Sequence, residues 1–306
     1  MRRPMSALAG ALAVAALGGC GGGGDQVELT YVATTPAGGA PTAAMLSRTA
    51  DLVQQRLDVW DTAGASVEAR PPDSVVVKIN RDERVLAGIA TQPGELRFYD
   101  WERNIVPNPS LKNVPAGEAY FDRKAAATRV AAENPGTIVV EKEPIPRQKG
   151  PSGFFVIHDR PSLTGEDITN PKQDFDPFGN PDVTFGFTDR GRAEFSNLTK
   201  AVAERGRLNA PPSAGGNAAL AHQYSGHFAI MLDGAVVSRP IINFVDNPNG
   251  IDGRVGAEIN GLALPEAQDL AKILELGPLP VRLVPERVQT GTKVSSETAS
   301  VTTSTP

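Results

Sequence analysis

The chain has 306 residues, 40% of them hydrophobic and 21% charged, with 31 Gly, 26 Pro and a net charge of −5. That length suits one large domain or two small ones, and the Gly and Pro content predicts many turns and short elements. The negative balance argues against nucleic acid as a partner, because phosphate binding needs a basic face, but it leaves basic polypeptide open.

Residues 1–19 read as a leader. Arg2 and Arg3 precede a short apolar run at 8–17, followed by Leu17-Gly18-Gly19-Cys20. This is the layout of a secretory signal with a small-residue cleavage site. The run is shorter than the ~20 apolar residues a spanning helix needs, and no later stretch reaches that length. Cys20 is the single cysteine and cannot form an internal disulfide. It stands where bacterial lipoproteins carry their acylated cysteine, so lipidation is expected there; the alternative is a plain secretory signal that happens to contain Cys. Residues 20–26, with glycines at 21–24, read as a flexible tether. The expected location is the outer face of the cell membrane, held by the lipid.

Residues 27–34 alternate as a strand. Over 44–60, Leu46, Val53, Leu57 and Trp60 form one apolar helical stripe, with Arg48, Asp51, Gln54 and Arg56 placed elsewhere. Residues 66–70 and 74–80 read as paired strands turned at Pro71-Pro72-Asp73. A short helix at 82–90 and a strand at 95–100 follow, giving strand–helix–strand–strand–helix–strand. Residues 101–153 are broken by prolines, with a helix at 117–133 and a strand at 137–142, and read as an excursion. Strands are expected at 154–158 and 182–187. Thr188 or Asp189 caps a helix that runs to Glu204, with Phe195, Leu198 and Val202 inward. Residues 209–225 read as a loop. Asp233-Gly234 between apolar runs signals a two-residue hairpin turn. Pro265 opens a last helix with Ala267, Leu270, Ala271 and Leu274 inward; Gly277-Pro278 stops it before a strand at 281–284. Residues 290–306 are rich in Ser and Thr and read as a disordered tail. The fold class is α+β.

The blocks LTGEDIT at 163–169, FTDRGRAEF at 187–195, AIMLDGAVVSRPII at 229–242 and EAQDLAKILELGPLPVRL at 266–283 resemble, in order and approximate spacing, the periplasmic domain of SecD, a subunit of the bacterial protein-export machine. VQQRLD at 53–58, SVVVKIN at 74–80 and ELRFYD at 95–100 extend the likeness, which covers about residues 45–289. The resemblance implies a ferredoxin-like base with an inserted α+β head: base at 27–100, head at 101–256, and a return helix and strand to the base at 257–289. It carries over a fold and a role but no catalytic group. The family's proton-conducting membrane helices have no counterpart, so the role is expected without that motor.

No constellation argues for chemistry. His158, His222 and His227 lack a third or fourth ligand at metal spacing. Ser225 lies between two histidines but outside a nucleophile elbow. The 246–252 loop has oxygen-rich spacing, yet Pro248 fills a ligand position and Ala257 stands where a closing Glu belongs. No cofactor, metal or enzymatic activity is expected. Phe175 and Phe178 flank a Pro/Gly loop and are the candidate polypeptide-binding side chains, with Phe185 and Phe187 expected in the core. An open sheet edge is the second route to polypeptide capture.

The function expected is that of an extracytoplasmic SecD-like lipoprotein that binds unfolded or emerging polypeptide, or docks on Sec translocase subunits. The alternative is an envelope lipoprotein reusing the fold for small-ligand binding or scaffolding. Replacing Cys20 with Ala should move the protein from the membrane to the soluble fraction on cell fractionation; unchanged membrane association would remove the lipoprotein reading.

Overall fold

The computed structural model describes residues 26–62, 64–107, 120–142 and 153–290. Cys20, the expected leader and nearly all of the expected tether and tail lie outside the described residues. The described chain divides into two compact units: residues 26–92 with 280–290, and Pro93–Leu279. No described helix is long and apolar enough to cross a membrane.

The smaller unit runs β1 (Gln26–Thr34), α1 (Ala43–Val59), β2 (Ser66–Arg70), β3 (Ser74–Asn80) and α2 (Arg84–Ala90), and β14 (Arg282–Thr290) completes its sheet. The strand order is β14-β1-β3-β2, with every neighbour antiparallel. Along β1, Val27, Leu29, Tyr31 and Ala33 are buried and the residues between them are not, because successive side chains leave opposite faces of a strand. In α1 the Thr42 hydroxyl caps the Met45 amide at 3.2 Å. Leu46 and Ala50 pack on Ala33, Val75 and Val281.

Arg56 departs from the expected polar face of α1. It is 1% exposed. Its Nη1 donates to the Ala90 carbonyl at 3.0 Å and also to the Gln92 carbonyl. These carbonyls lie at and just beyond the end of α2, where helices leave acceptors unsatisfied and attract cations. Trp60, expected in the apolar stripe, is the half-exposed cap of α1.

The larger unit contains β4 (Leu96–Asp100), α3 (Trp101–Asn104), α4 (Tyr120–Glu133), β5 (Thr137–Lys142), β6 (Gly153–His158), β7 (Leu163–Thr164), β8 (Ile168–Phe175) and β9 (Pro181–Phe187). It continues with α5 (Asp189–Asn209), α6 (Ala218–Tyr224), β10 (Gly226–Leu232), β11 (Ala235–Ser238), β12 (Ile241–Ile242), β13 (Ala257–Ile259) and α7 (Leu264–Leu276). Its main sheet has the order β6-β5-β11-β10-β4-β7, with β12 also pairing β10; a second sheet has the order β13-β9-β8. The central strand β10 is buried on both faces. Phe228, Ile230 and Leu232 join Phe195, Leu198 and Val202 of α5, while Ala229 and Met231 join Tyr99, Val140 and Ile157. A strand covered on both sides reads as a continuous apolar run.

Several expected boundaries shift. The 95–100 strand was expected to complete the first block, but β4 pairs with β10 and β7 in the larger unit. Leu96, Phe98 and Tyr99 are all buried, so β4 needs cover on both faces. The Asp233 carboxylate ties its start by accepting from the Gly94 and Glu95 amides at 3.1 and 2.8 Å. The 257–276 segment, expected to return to the base, belongs to the larger unit, and α7 packs on β8 and β9. The described part of the proline-broken 101–153 stretch lies in the larger unit, away from the first block as expected, where β5 and β6 extend the main sheet. The 209–225 loop contains α6, whose cap Asn217 accepts from the Ala219 and Leu220 amides at 3.1 Å.

One joint fixes the start of α5. Asp167, in a short 3-10 turn after β7, is 2% exposed. Its carboxylate accepts from the Thr164 amide at 2.9 Å and from Arg190 Nε at 2.7 Å. Burial pushes this carboxyl up, but Arg190 and the Thr164 donors outweigh it and hold it below the usual range. The Asp167 carbonyl accepts from the Thr188 amide at 2.9 Å. Thr188 in turn caps α5 by accepting from the Gly191 amide at 3.0 Å. A Cβ on Gly191 would lie 2.1 Å from the Asp167 carbonyl oxygen.

Gly191→Ala should therefore destabilise the larger unit by about 3 kcal/mol, the upper range for forced overpacking. Gly215→Ala, where an added Cβ meets nothing within 4 Å, should be nearly neutral. Urea denaturation midpoints of the two variants would check this, and equal midpoints would contradict it.

Candidate functional site

The two phenylalanines singled out in the sequence sit on one hairpin. Phe175 ends β8, Phe178 occupies the turn at 176–180, and β9 follows. The turn is braced by Asp176. Its carboxylate accepts from the Phe178 and Asn180 amides, both at 2.8 Å, and from Asn180 Nδ2 at 2.9 Å. The donors from Asn180 are foremost in holding the Asp176 carboxyl below its ordinary range. Gly179 takes φ +79°, a value that a side chain would strain. The result is a pre-ordered tip with Phe178 90% exposed and Phe175 55% exposed. Phe185, by contrast, is buried, and Phe187 stacks on Phe195 at a centroid distance of 4.7 Å.

Strand β8 itself had no clear sequence signal, because Asn170-Pro171 breaks the alternation. The structure absorbs them as a bulge in the β8–β9 register, with Asn170 at φ +48°.

A second feature lies where the sequence offered only a turn-rich loop. A cleft of about 380 Å³, open to solvent, is floored by Phe195, Phe228 and Ile251 and walled by Arg239 to Ile242 on one side and Ala257, Glu258 and Asn260 on the other. Both walls carry short strands at the margin of their sheets. β12 pairs only with β10, and β13 pairs only with β9, so β13 has an outer edge without a strand partner among the described residues. Gly256, at φ +80°, makes the close approach that seats β13: a Cβ there would lie 2.2 Å from the Phe185 carbonyl oxygen. The glycines at 253, 256 and 261 bracketing this strand were the signal available in the sequence. Arg239 is held over the Trp101 ring at 5.7 Å from its centroid. The Asp246 and Asp252 carboxylates of the intervening loop bond to Asn243 Nδ2 at 2.6 Å and to Arg254 at 3.1 Å.

A second cleft, of about 450 Å³, is lined by Asp100, Arg103, His158, Arg160 and Glu194, among others. At its base Arg205 grips both Asp100 oxygens at 2.8 and 2.6 Å. The remaining histidines do not converge. His227 Nδ1 meets Glu102 at 2.7 Å. Burial raises the Glu102 carboxyl, yet the bonds from His227 outweigh it and leave it lowered. Ser225 donates to the Ala221 carbonyl at 2.7 Å rather than to a histidine. Among the described residues no group of three His, Cys, Asp or Glu is placed to hold a metal ion.

Comparison with known proteins bears on this architecture. The family model described as the SecDF P1 head subdomain matches residues 138–281. Protein translocase subunit SecD of Rhodobacter capsulatus is 30% identical over 127 residues, 42% of this chain and 18% of the relative. Protein translocase subunit SecDF of Thermus thermophilus is 32% identical over 124 residues, 40% of this chain and 13% of the relative. SecD of a Synechocystis species is 21% identical over 77% of this chain and 47% of its own length. The chain thus spans less than half the length of each. Among solved structures, a SecDF described as a membrane component that enhances protein export superposes with a TM-score of 0.50 at 21% identity, covering 86% of this chain and 99% of that one. SecDF in its super-membrane-facing form also gives 0.50, at 23% identity, over 87% of this chain and 30% of that one. At these identities the structural likeness speaks to the fold. Residues 138–281 therefore match the SecDF P1 head subdomain, and the chain is similar to the periplasmic part of SecD and SecDF.

Proposed function

We propose that this protein binds unfolded or emerging polypeptide outside the cytoplasm and assists export alongside the Sec translocase, as a binding module rather than an enzyme. The observation that carries this reading is the cleft at β13: an apolar floor beside an unpaired strand edge. A strand edge offers main-chain donors and acceptors to any extended segment, and the floor adds a non-specific apolar contact. The braced Phe178 tip supplies a second apolar contact on the same sheet. The kinship with SecD and with a SecDF that enhances protein export supports the export context. Lipid attachment at Cys20 would hold the protein at the outer face of the membrane.

We also read the smaller unit as a ferredoxin-like base and Pro93–Leu279 as a head inserted into it. The support is the strand order β14-β1-β3-β2, with α1 joining β1 to β2 and the long insertion between α2 and β14.

Photocrosslinking in secreting cells, with a photoreactive residue placed in turn at Phe175, Phe178 and Ile241, tests the export role. Crosslinks to nascent secreted chains or to translocase subunits are expected. Crosslinks confined to unrelated envelope proteins, or none, would mean that the fold was inherited without the role.

A further inference from the structure

The sheet β13-β9-β8 has two unlike faces. Val183 and Phe185 point into the core shared with Leu270 and Ala271 of α7. On the other face the register sets Asp182 opposite Asp174, and places Thr184 between Lys172 and Glu258. Asp182 is 1% exposed, yet its Oδ1 has no hydrogen-bond partner among the described residues, and neither does Thr184 Oγ1. Burial pushes the Asp182 carboxyl up, and Glu258, Asp174 and Asp176 push it further; Lys172 alone opposes them. That lysine is already engaged by Asp174 at 2.9 Å. A buried carboxylate oxygen without a donor is costly, and the cost is relieved by any group that arrives carrying N–H and positive charge.

Glu258 connects this face to the cleft, since it lines the wall formed by β13. Arg239, the cation of the opposite wall, is drawn over Trp101. Negative potential therefore gathers on the β13 side.

We infer that the cleft selects basic segments: an extended chain whose Lys or Arg lies against Glu258, in the negative field of the buried Asp182 behind it, while a neighbouring apolar side chain rests on Phe195, Phe228 and Ile251. The inference rests on reading this cleft as the polypeptide site and names the class of sequence that the site prefers. The partner is a polypeptide rather than a free cation, because the unpaired edge of β13 and the apolar floor have no use for an ion.

Fluorescence anisotropy with the full chain and three labelled peptides tests it. The peptides share one apolar core and are flanked by Lys, Ser or Glu. The Lys peptide should bind about fivefold more tightly than the Ser peptide at low salt, as expected for one or two partly screened charge contacts. The Glu peptide should bind weakest, and the differences should shrink in high salt. Glu258→Lys, a change at an exposed position, should reverse the order of the Lys and Glu peptides.

Asp182→Asn should narrow the preference and raise the urea midpoint at pH 7. The sign follows from the raised carboxyl: stability is lost as pH climbs above the unfolded value near ~4 and through the higher folded one, so the penalty belongs to the alkaline side of that window. The gain in the Asn variant should fade as pH falls below that window. Equal affinity for all three peptides, or an order unmoved by Glu258→Lys, would overturn the charge selection alone. Failure of every peptide to bind would overturn the polypeptide reading and this inference with it.

Discussion

The larger unit depends on how closely Gly191 approaches the Asp167 carbonyl. That contact, with the Arg190 and Thr164 bonds to the Asp167 carboxylate, aims α5 across the main sheet. α5 then supplies Phe195, Leu198 and Val202 to the core. It also supplies Phe195 to the floor of one cleft, and Glu194, Asn197 and Leu198 to the wall of the other. A helix started at a different angle would lose the floor and the core together. The two residues that pair here, Asp167 and Arg190, lie 23 positions apart in the chain, and each motif makes sense only as half of the joint.

What the sequence made legible was whatever is set locally. The β2–β3 hairpin, α1, β9 and the body of α5 follow from period-two and helical spacing, with a cap at Thr188. The Asp233-Gly234 turn followed from dihedral preference, and both residues take positive φ. What stayed hidden was set by distant partners. β4 was recognisable as a strand, but its neighbour β10 lies more than a hundred residues away, and nothing local names it. Arg56 looked like a surface residue because the carbonyls that receive it belong to another helix. β8 was obscured by a bulge that only pairing with β9 can reveal.

The candidate site divides in the same way. The exposure of Phe175 and Phe178 could be guessed from their setting among turn residues. The cleft could not, because its floor comes from α5 and β10 and its walls from two strands of two and three residues. Strands so short have no periodicity to detect. Their placement comes from glycines that let backbones meet, above all Gly256 against Phe185. The same shortness leaves the edge open: two or three residues satisfy a few main-chain groups on one side and present the rest outward.

The path of the chain also constrains when each unit can form. β1 lies between β3 and β14, and β14 is among the last described residues to leave the ribosome. The smaller unit must wait with one flank of its central strand uncovered while the whole of Pro93–Leu279 is made. The ends of the larger unit are tied together, the Leu279 amide donating to the Pro93 carbonyl at 2.8 Å, and all of its strands are made before β14. The order of maturation is thus written into the topology: the middle of the chain can fold first, and the unit containing the first strand closes last.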